Sequence, residues 1–341
     1  MNMTARISYI NQFKRREKDM QKIVGIDLGF GFCKVYSDNG RHIFPSIAGP
    51  CNEDVLRVSG VRNPAYDHET VFLDNKKFLV GNSAPRYSER VYQARDKDWI
   101  DSLTYRCLLH HALRLAGVNN PPLTPQETVI VTGLPVTHYR SCRPKLIDLV
   151  KSMTHPDVSV KVTLQPLGSY FDHLLCDDGG IQDMELVHNR VGVIDIGFYT
   201  SDFITVESLE LVKNLLDTRE GGMSSVYQEI ARDIFNSHGI RKETYEVERV
   251  VADGYIKVYG EKKSIADIVR PRFERFAREI ESTARILWKD GADIDRILVT
   301  GGGSEDLKDY LEFYKHATFM SGGQFANVRG YVKFARSLKE V

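Results

Sequence analysis

Two segments of this chain, about 168 residues apart, are variations on one pattern. Ile23-Val24-Gly25-Ile26-Asp27-Leu28-Gly29-Phe30-Gly31 is answered by Val191-Gly192-Val193-Ile194-Asp195-Ile196-Gly197-Phe198-Tyr199. In each, an apolar run ends on a carboxylate, a glycine-bearing turn follows, and a second apolar stretch begins. A tight turn between strands aims backbone N–H groups at one point, and glycine lets an anion approach without a Cβ clash. Asp27 suits Mg²⁺ held through water, and Lys34 can reach back to a phosphate oxygen as a point charge. The second segment adds Asp195, another glycine turn and the Thr200 hydroxyl. One such hairpin alone is better explained by an aspartate that merely caps a turn. Two of them, facing each other, make a clamp for a metal-bound polyphosphate. A third piece, Ile297-Leu298-Val299-Thr300-Gly301-Gly302-Gly303-Ser304, places three glycines where a strand gives way to a helix. That permits close backbone approach to a flat ring or a ribose.

The elements that must position these residues are an alternating α/β series. The pattern predicts strands at 23–28, 32–37, 71–74 and 77–80, the last two joined at Asn75-Lys76. Trp99, Leu103, Cys107, Leu108, Ala112 and Leu115 recur at helical spacing, with Gly117 as a stop. A strand over 128–132, a helix from about Tyr139, a strand over 158–164 and a helix from about Ser169 complete the first half. The second half restarts with strands at 191–196, 200–206 and 209–213 and helices at about 223–237 and 264–288. Pro271 is expected to kink or split the latter helix. A strand over 296–300 and a helix from about Phe325 close the chain. Both halves open with strands and then alternate, which indicates an α/β protein built by duplication.

At 341 residues the chain suits about two domains. Forty-six basic and 46 acidic residues cancel, so a large electrostatic footprint for DNA is not expected. No apolar run approaches the roughly 20 residues of a membrane span. Five scattered cysteines, without a CxxC pair, read as reduced cytoplasmic thiols. His110-His111 sits in a helical pattern without further ligands at metal spacing, which favours a packed or surface pair. Residues 1–22 are polar and slightly basic, including Lys14-Arg15-Arg16, and read as a disordered extension; Met20 is an alternative start.

The pattern D-x-G-x-G-x-x-K, then D-x-G-x-x-T-x-D, then a glycine triplet resembles the actin, Hsp70 and sugar-kinase ATPase superfamily. Within it the chain is similar to bacterial actin-like proteins of the plasmid-segregation ParM/StbA type. Phe44-Pro45-Ser46, Val80-Gly81-Asn82-Ser83-Ala84, Val131-Thr132-Gly133-Leu134-Pro135-Val136 with Tyr139, and Asn327-Val328-Arg329-Gly330-Tyr331 also fit. The resemblance runs from about Ile23 to the C-terminus. It implies an actin-like (ribonuclease H-like) duplicated fold, with domain I at 23–185 and 325–341, domain II at 186–324, and a nucleotide cleft between them.

The resemblance also implies roles. Asp27 and Asp195 position the magnesium. Gly29, Phe30, Gly31 and Lys34 hold the phosphates of ATP from one side, and Gly197, Phe198, Tyr199 and Thr200 from the other. Gly301, Gly302 and Gly303 lie against the adenosine, with Gly221 and Gly222 near the ribose. Gln165 stands where this family places a Glu or Gln facing the γ-phosphate; with Asp195 it is the catalytic candidate. A glutamine can orient water but cannot take its proton. An exposed strand-end glutamine before a proline turn is the plainer reading of Gln165-Pro166.

The function that follows is a cytoplasmic ATPase forming head-to-tail filaments, a non-closing heterologous assembly. It would segregate plasmid or other DNA through an adaptor protein, with no direct DNA binding and no membrane contact. The alternative is a small-molecule kinase of the same superfamily. It would need an acidic base for a substrate hydroxyl, for which Asn52-Glu53-Asp54 is the nearest candidate.

Overall fold

The structure, a computed structural model, describes residues 22–51, 67–93, 99–118, 127–289, 291–312 and 316–338. The N-terminal segment with Lys14-Arg15-Arg16 and Met20, and the candidate kinase base at Asn52-Glu53-Asp54, lie outside the described residues.

The duplication is explicit in the sheets. In the first half β1 (Lys22–Leu28), β2 (Phe32–Ser37) and β3 (Gly40–Pro45) form an antiparallel meander. A smaller four-stranded sheet follows, made of β4 (Ile47–Pro50), β5 (Thr70–Leu73), β6 (Lys76–Val80) and β7 (Tyr92–Gln93), with a short helix α1 (Ser83–Tyr87). The main sheet then resumes, after helix α2 (Leu103–Leu115), with β8 (Thr128–Leu134) parallel to β1. Helix α3 (Tyr139–Met153) leads to β9 (Ser159–Leu164), parallel to β8. The order is β3-β2-β1-β8-β9.

The second half repeats this plan. It begins with helix α4 (Gln165–Leu174) and the short α5 (Met184–His188). Strands β10 (Arg190–Ile196), β11 (Thr200–Glu207) and β12 (Glu210–Leu211) are an antiparallel meander, and β13 (Asp217–Glu220) also pairs β11. Helices α6 (Met223–His238) and α7 (Thr244–Asp253), the hairpin β14 (Tyr255–Val258) and β15 (Glu261–Ser264), and helix α8 (Ala266–Trp288) intervene. Then β16 (Arg296–Thr300) runs parallel to β10, and β17 (Ala317–Phe319) parallel to β16. Helix α9 (Gly303–Leu307) separates the last two strands and α10 (Ala326–Ser337) ends the described chain.

The central strands are buried along nearly their whole length, as parallel strands covered on both faces must be. One face of the first sheet packs on α2 and α3 through Leu108, Leu113, Leu146 and Val150. Its other face takes α10, through Val328, Tyr331, Val332 and Ala335 against Ile23, Val129 and Val131. The second sheet packs on α6 and α8 and, on its other face, on α4 through Tyr170 and Leu174. The helix following the last strand of each sheet therefore packs on the other sheet, and α4 and α10 cross between them. At that crossing Gly330 lies against the Gly168 carbonyl, so close that neither position has room for a methyl group.

Several expected elements are displaced. The β5–β6 turn is Asp74-Asn75, both with positive φ, one residue before the expected Asn75-Lys76. The helix expected from Ser169 begins at Gln165, because Pro166 is accommodated in its first turn, where a missing N–H costs nothing. Helix α8 is not split at Pro271. The apolar residues Phe273, Phe276, Ala277, Ile280, Ala284 and Trp288, all beyond the proline, anchor one continuous helix. The strand expected at 209–213 shrinks to Glu210–Leu211. Strands β3 and β13, the β14–β15 hairpin and α7 gave no clear signal, being short or largely exposed.

Candidate functional site

The two hairpin turns face one another across one cavity. Of the sequence-predicted residues, Asp27, Gly29, Phe30, Gly31, Lys34, Gln165, Asp195, Gly197, Phe198, Tyr199, Thr200 and Gly301 to Gly303 line it. The turns touch directly: a Cβ on Gly31 would come within 2.5 Å of the Phe198 ring. Phe30 packs between Trp99 and Tyr199, with ring centroids at 4.6 and 5.2 Å.

Gly221 and Gly222 do not line the cavity. Their N–H groups donate to Tyr199 O at 2.8 and 2.7 Å, so they brace the second turn from behind. Met223, the next residue, reaches the cavity instead.

Strand pairing fixes a difference between the repeats. Asp27 pairs across the β1–β2 ladder with Lys34, whose Nζ lies 3.2 Å from Asp27 Oδ2. Burial pulls the lysine's pKa down, but Asp27 and Asp195 outweigh it and leave it raised. The equivalent partner of Asp195 is Asp202, a second carboxylate. Asp202 accepts from Thr218 Oγ1 at 2.6 Å and Thr200 Oγ1 at 3.2 Å. Burial first, and then the Asp195 charge, lift Asp202 to about 7 against these hydrogen bonds.

Asp195 is itself raised to about 6, chiefly by burial. Its hydrogen bond from Asn327 opposes the rise, the Asp27 charge adds to it, and Lys34 offsets part. Asn327 Nδ2 donates to Asp195 Oδ2 at 2.8 Å, while Asn327 Oδ1 accepts from Ser169 Oγ at 2.7 Å. The Gly301 backbone, at φ +90°, passes so near Asp195 Oδ1 that a side chain there would collide with it. Gln165, far from an exposed strand-end residue, donates Nε2 to Asp27 Oδ1 at 2.7 Å.

Among the described residues no group of three or more His, Cys, Asp or Glu is arranged to hold a metal ion. Magnesium needs no such cage, since it binds through one or two carboxylates, water and substrate phosphates. Two buried carboxylates at strand ends, one of them raised by its burial, are a donor set that fits it.

Asp202, Tyr227, Glu248, Gln324 and Asn327 also line the cavity, without having been assigned a role from sequence. Asp202 and Asn327 lie in segments that the motifs already marked. Tyr227 and Glu248 come from α6 and α7, where no local signal separates them from other helical residues. Burial, then Asp306, raises Glu248 to about 7.

His110 and His111 take no part. His111 is buried in α2, edge-on to Phe44 at 4.7 Å and 2.8 Å from the Arg114 guanidinium. No helix among the described residues is long and apolar enough to cross a membrane.

The comparisons with known proteins agree with this geometry. Residues 25–167 match the family model "Actin like proteins N terminal domain", and residues 193–313 match "Archaeal actin homologue MreB-like, C-terminal". Both halves of the chain are thus actin-like, and the fold is the actin-like fold. Among solved structures, the chain resembles a non-polymerisable quadruple mutant of the pCBH ParM. The TM-score is 0.74 at 22% identity, over 92% of this chain and 99% of that one. A 15-stranded ParM filament from Clostridium botulinum gives the same TM-score of 0.74 and identity of 22%, over 93% and 99%. An archaeal actin homologue in complex with ADP gives 0.70 at 20%, over 92% and 98%. No curated protein sequence matches the chain. The resemblance is to bacterial actin-like proteins of the ParM type, at low sequence identity.

Proposed function

We propose that this chain is an ATPase that assembles into nucleotide-dependent filaments. The observation that carries the reading is the pair of glycine hairpins converging on one cavity, each delivering a buried aspartate. In this reading residues 23–185 with 325–341 form one lobe, and residues 186–324 the other. The turn at Gly29–Gly31 and Lys34 grip the phosphates of ATP from the first lobe, and Gly197–Thr200 from the second. Gly301–Gly303 lie along the adenosine, and Gly221 and Gly222 support the second turn. Asp27 and Asp195 hold Mg²⁺, which neutralises phosphate charge when bound. Gln165, beside Asp27, orients the attacking water; its amide positions without accepting the proton.

Binding between the lobes favours their closed arrangement, and closed subunits join head to tail. Several of the similar structures are filaments and the archaeal homologue was solved with ADP, which supports this reading. A cytoplasmic role in moving plasmid or other DNA through an adaptor protein fits a chain with zero formal net charge.

Sedimentation and light scattering with ATP, a non-hydrolysable analogue and ADP test this. Polymer above a critical concentration with the two triphosphates, and less with ADP, is expected. A chain that stays monomeric with every nucleotide well into the micromolar range, yet consumes ATP once a small hydroxylic substrate is added, is instead a kinase.

A further inference from the structure

Tyr331 is completely buried on α10, and its hydroxyl has no hydrogen-bond partner among the described residues. A buried polar atom left unpaired weakens the fold and calls for a reason. The hydroxyl lies in the notch left by Gly133 at the end of β8. A Cβ at Gly133 would collide with the Tyr331 oxygen and would also stand 2.9 Å from Gln165 Cγ. The phenol and the stem of the glutamine are therefore neighbours against one stretch of backbone. Asp27 and Asp195 are near enough that, after burial itself, their charges hold the phenolic proton firmly in place. Tyr331 is thus a permanent donor without an acceptor, beside a glutamine whose amide nitrogen is engaged by Asp27.

We propose that Tyr331 is a positioning residue for Gln165, its hydroxyl donating to the glutamine side-chain carbonyl once nucleotide fills the cavity. With phosphates in place, Asp27 serves that end of the ligand and Gln165 leaves it. The glutamine carbonyl has two lone pairs. One accepts from Tyr331, which fixes the rotamer, and the other accepts from the attacking water. The Val131–Val136 and Asn327–Tyr331 segments then have a shared purpose: Gly133 makes the space and Tyr331 fills it. The proposal rests on the hydrolysis reading above.

Single-turnover phosphate release, ATP affinity and thermal stability, measured on wild type, Tyr331→Phe, Gln165→Ala and the double variant, test it. Tyr331→Phe removes only an unpartnered group, so its melting temperature is expected to be equal or higher, with ATP affinity within twofold of wild type. Its hydrolysis is expected to be at least tenfold slower, and the double variant no slower than Gln165→Ala alone. A purely structural tyrosine would not produce that non-additivity. Wild-type turnover in Tyr331→Phe, or losses that multiply in the double variant, overturn the proposal alone. A wild-type protein that binds ATP but releases no phosphate overturns the hydrolysis reading, and the proposal with it.

Discussion

Asn327 and Asp195, 132 residues apart, are joined by a 2.8 Å hydrogen bond in the interior of the protein. The bond ties the last helix to the strand-end carboxylate of the second hairpin, and its other end runs to Ser169 on α4. Both helices that cross between the sheets are therefore connected to one candidate metal ligand. The site and the crossing of α4 and α10 share a single polar network, with Thr300 Oγ1 2.9 Å from Ser169 Oγ as its next member.

Asp195→Asn separates function from stability. A carboxylate raised to about 6 by burial costs folding stability as the pH rises from the unfolded value of about 3.9, and the cost is complete above about 6. The amide keeps an acceptor for Asn327 and carries no charge. The variant is expected to unfold at higher urea concentration at pH 7.5, by about 1–3 kcal/mol, while losing Mg-ATP hydrolysis. Unchanged hydrolysis would remove Asp195 from the site.

Mg-ATP at about 100 times its Kd is expected to add roughly 2.7 kcal/mol, a rise of a few degrees in melting temperature for a chain of this size. ATP with EDTA is expected to give a clearly smaller shift, because Asp27 and Asp195 then repel the phosphates. Equal shifts with and without the divalent ion would contradict the two-aspartate arrangement.

Gly330→Ala addresses the helix crossing. The added methyl would meet the Gly168 carbonyl, and backbone lies on both sides, so neither helix can yield by rotating a side chain. Overpacking of this kind costs about 1–3 kcal/mol or more. A lower denaturation midpoint is expected; a midpoint within error of wild type would show that the helices can separate freely.

His111 makes stability sensitive to acid. Burial first, then Arg114 and the neighbouring His110, His42 and His68, hold its folded pKa down at about 3, against about 6.5 in the unfolded chain. The unfolded state therefore takes up a proton that the folded state refuses. Stability from this group is full above about pH 6.5 and falls by about 1.4 kcal/mol per pH unit below it, until the folded pKa is passed. Urea unfolding at pH 7.5 and 5.5 should show a smaller loss for His111→Asn than for wild type. Equal losses would mean that other groups carry the acid sensitivity.

The first two strands of each meander, the glycine turns and the strand-end aspartates were legible because each is a local property. A run of β-branched residues, a carboxylate and a glycine turn have the same meaning wherever the partner strand lies. Misplaced boundaries had local causes too. Pro166 looks like a breaker in sequence, but it is a good first-turn residue. Short, exposed strands such as Glu261–Ser264 carry little apolar alternation to detect.

The sequence by itself determined the duplicated plan and the hairpins that meet at the cavity, since spacing and residue type suffice for both. Only the tertiary structure decided that Lys34 pairs with Asp27 while Asp202 stands beside Asp195, because strand register chooses cross-strand neighbours. It alone brought Tyr227 and Glu248 to the cavity, and placed the Tyr331 hydroxyl in the notch at Gly133. These are contacts between residues far apart in the chain. They arise when packing removes apolar helix faces from water, and no short window of sequence contains both partners.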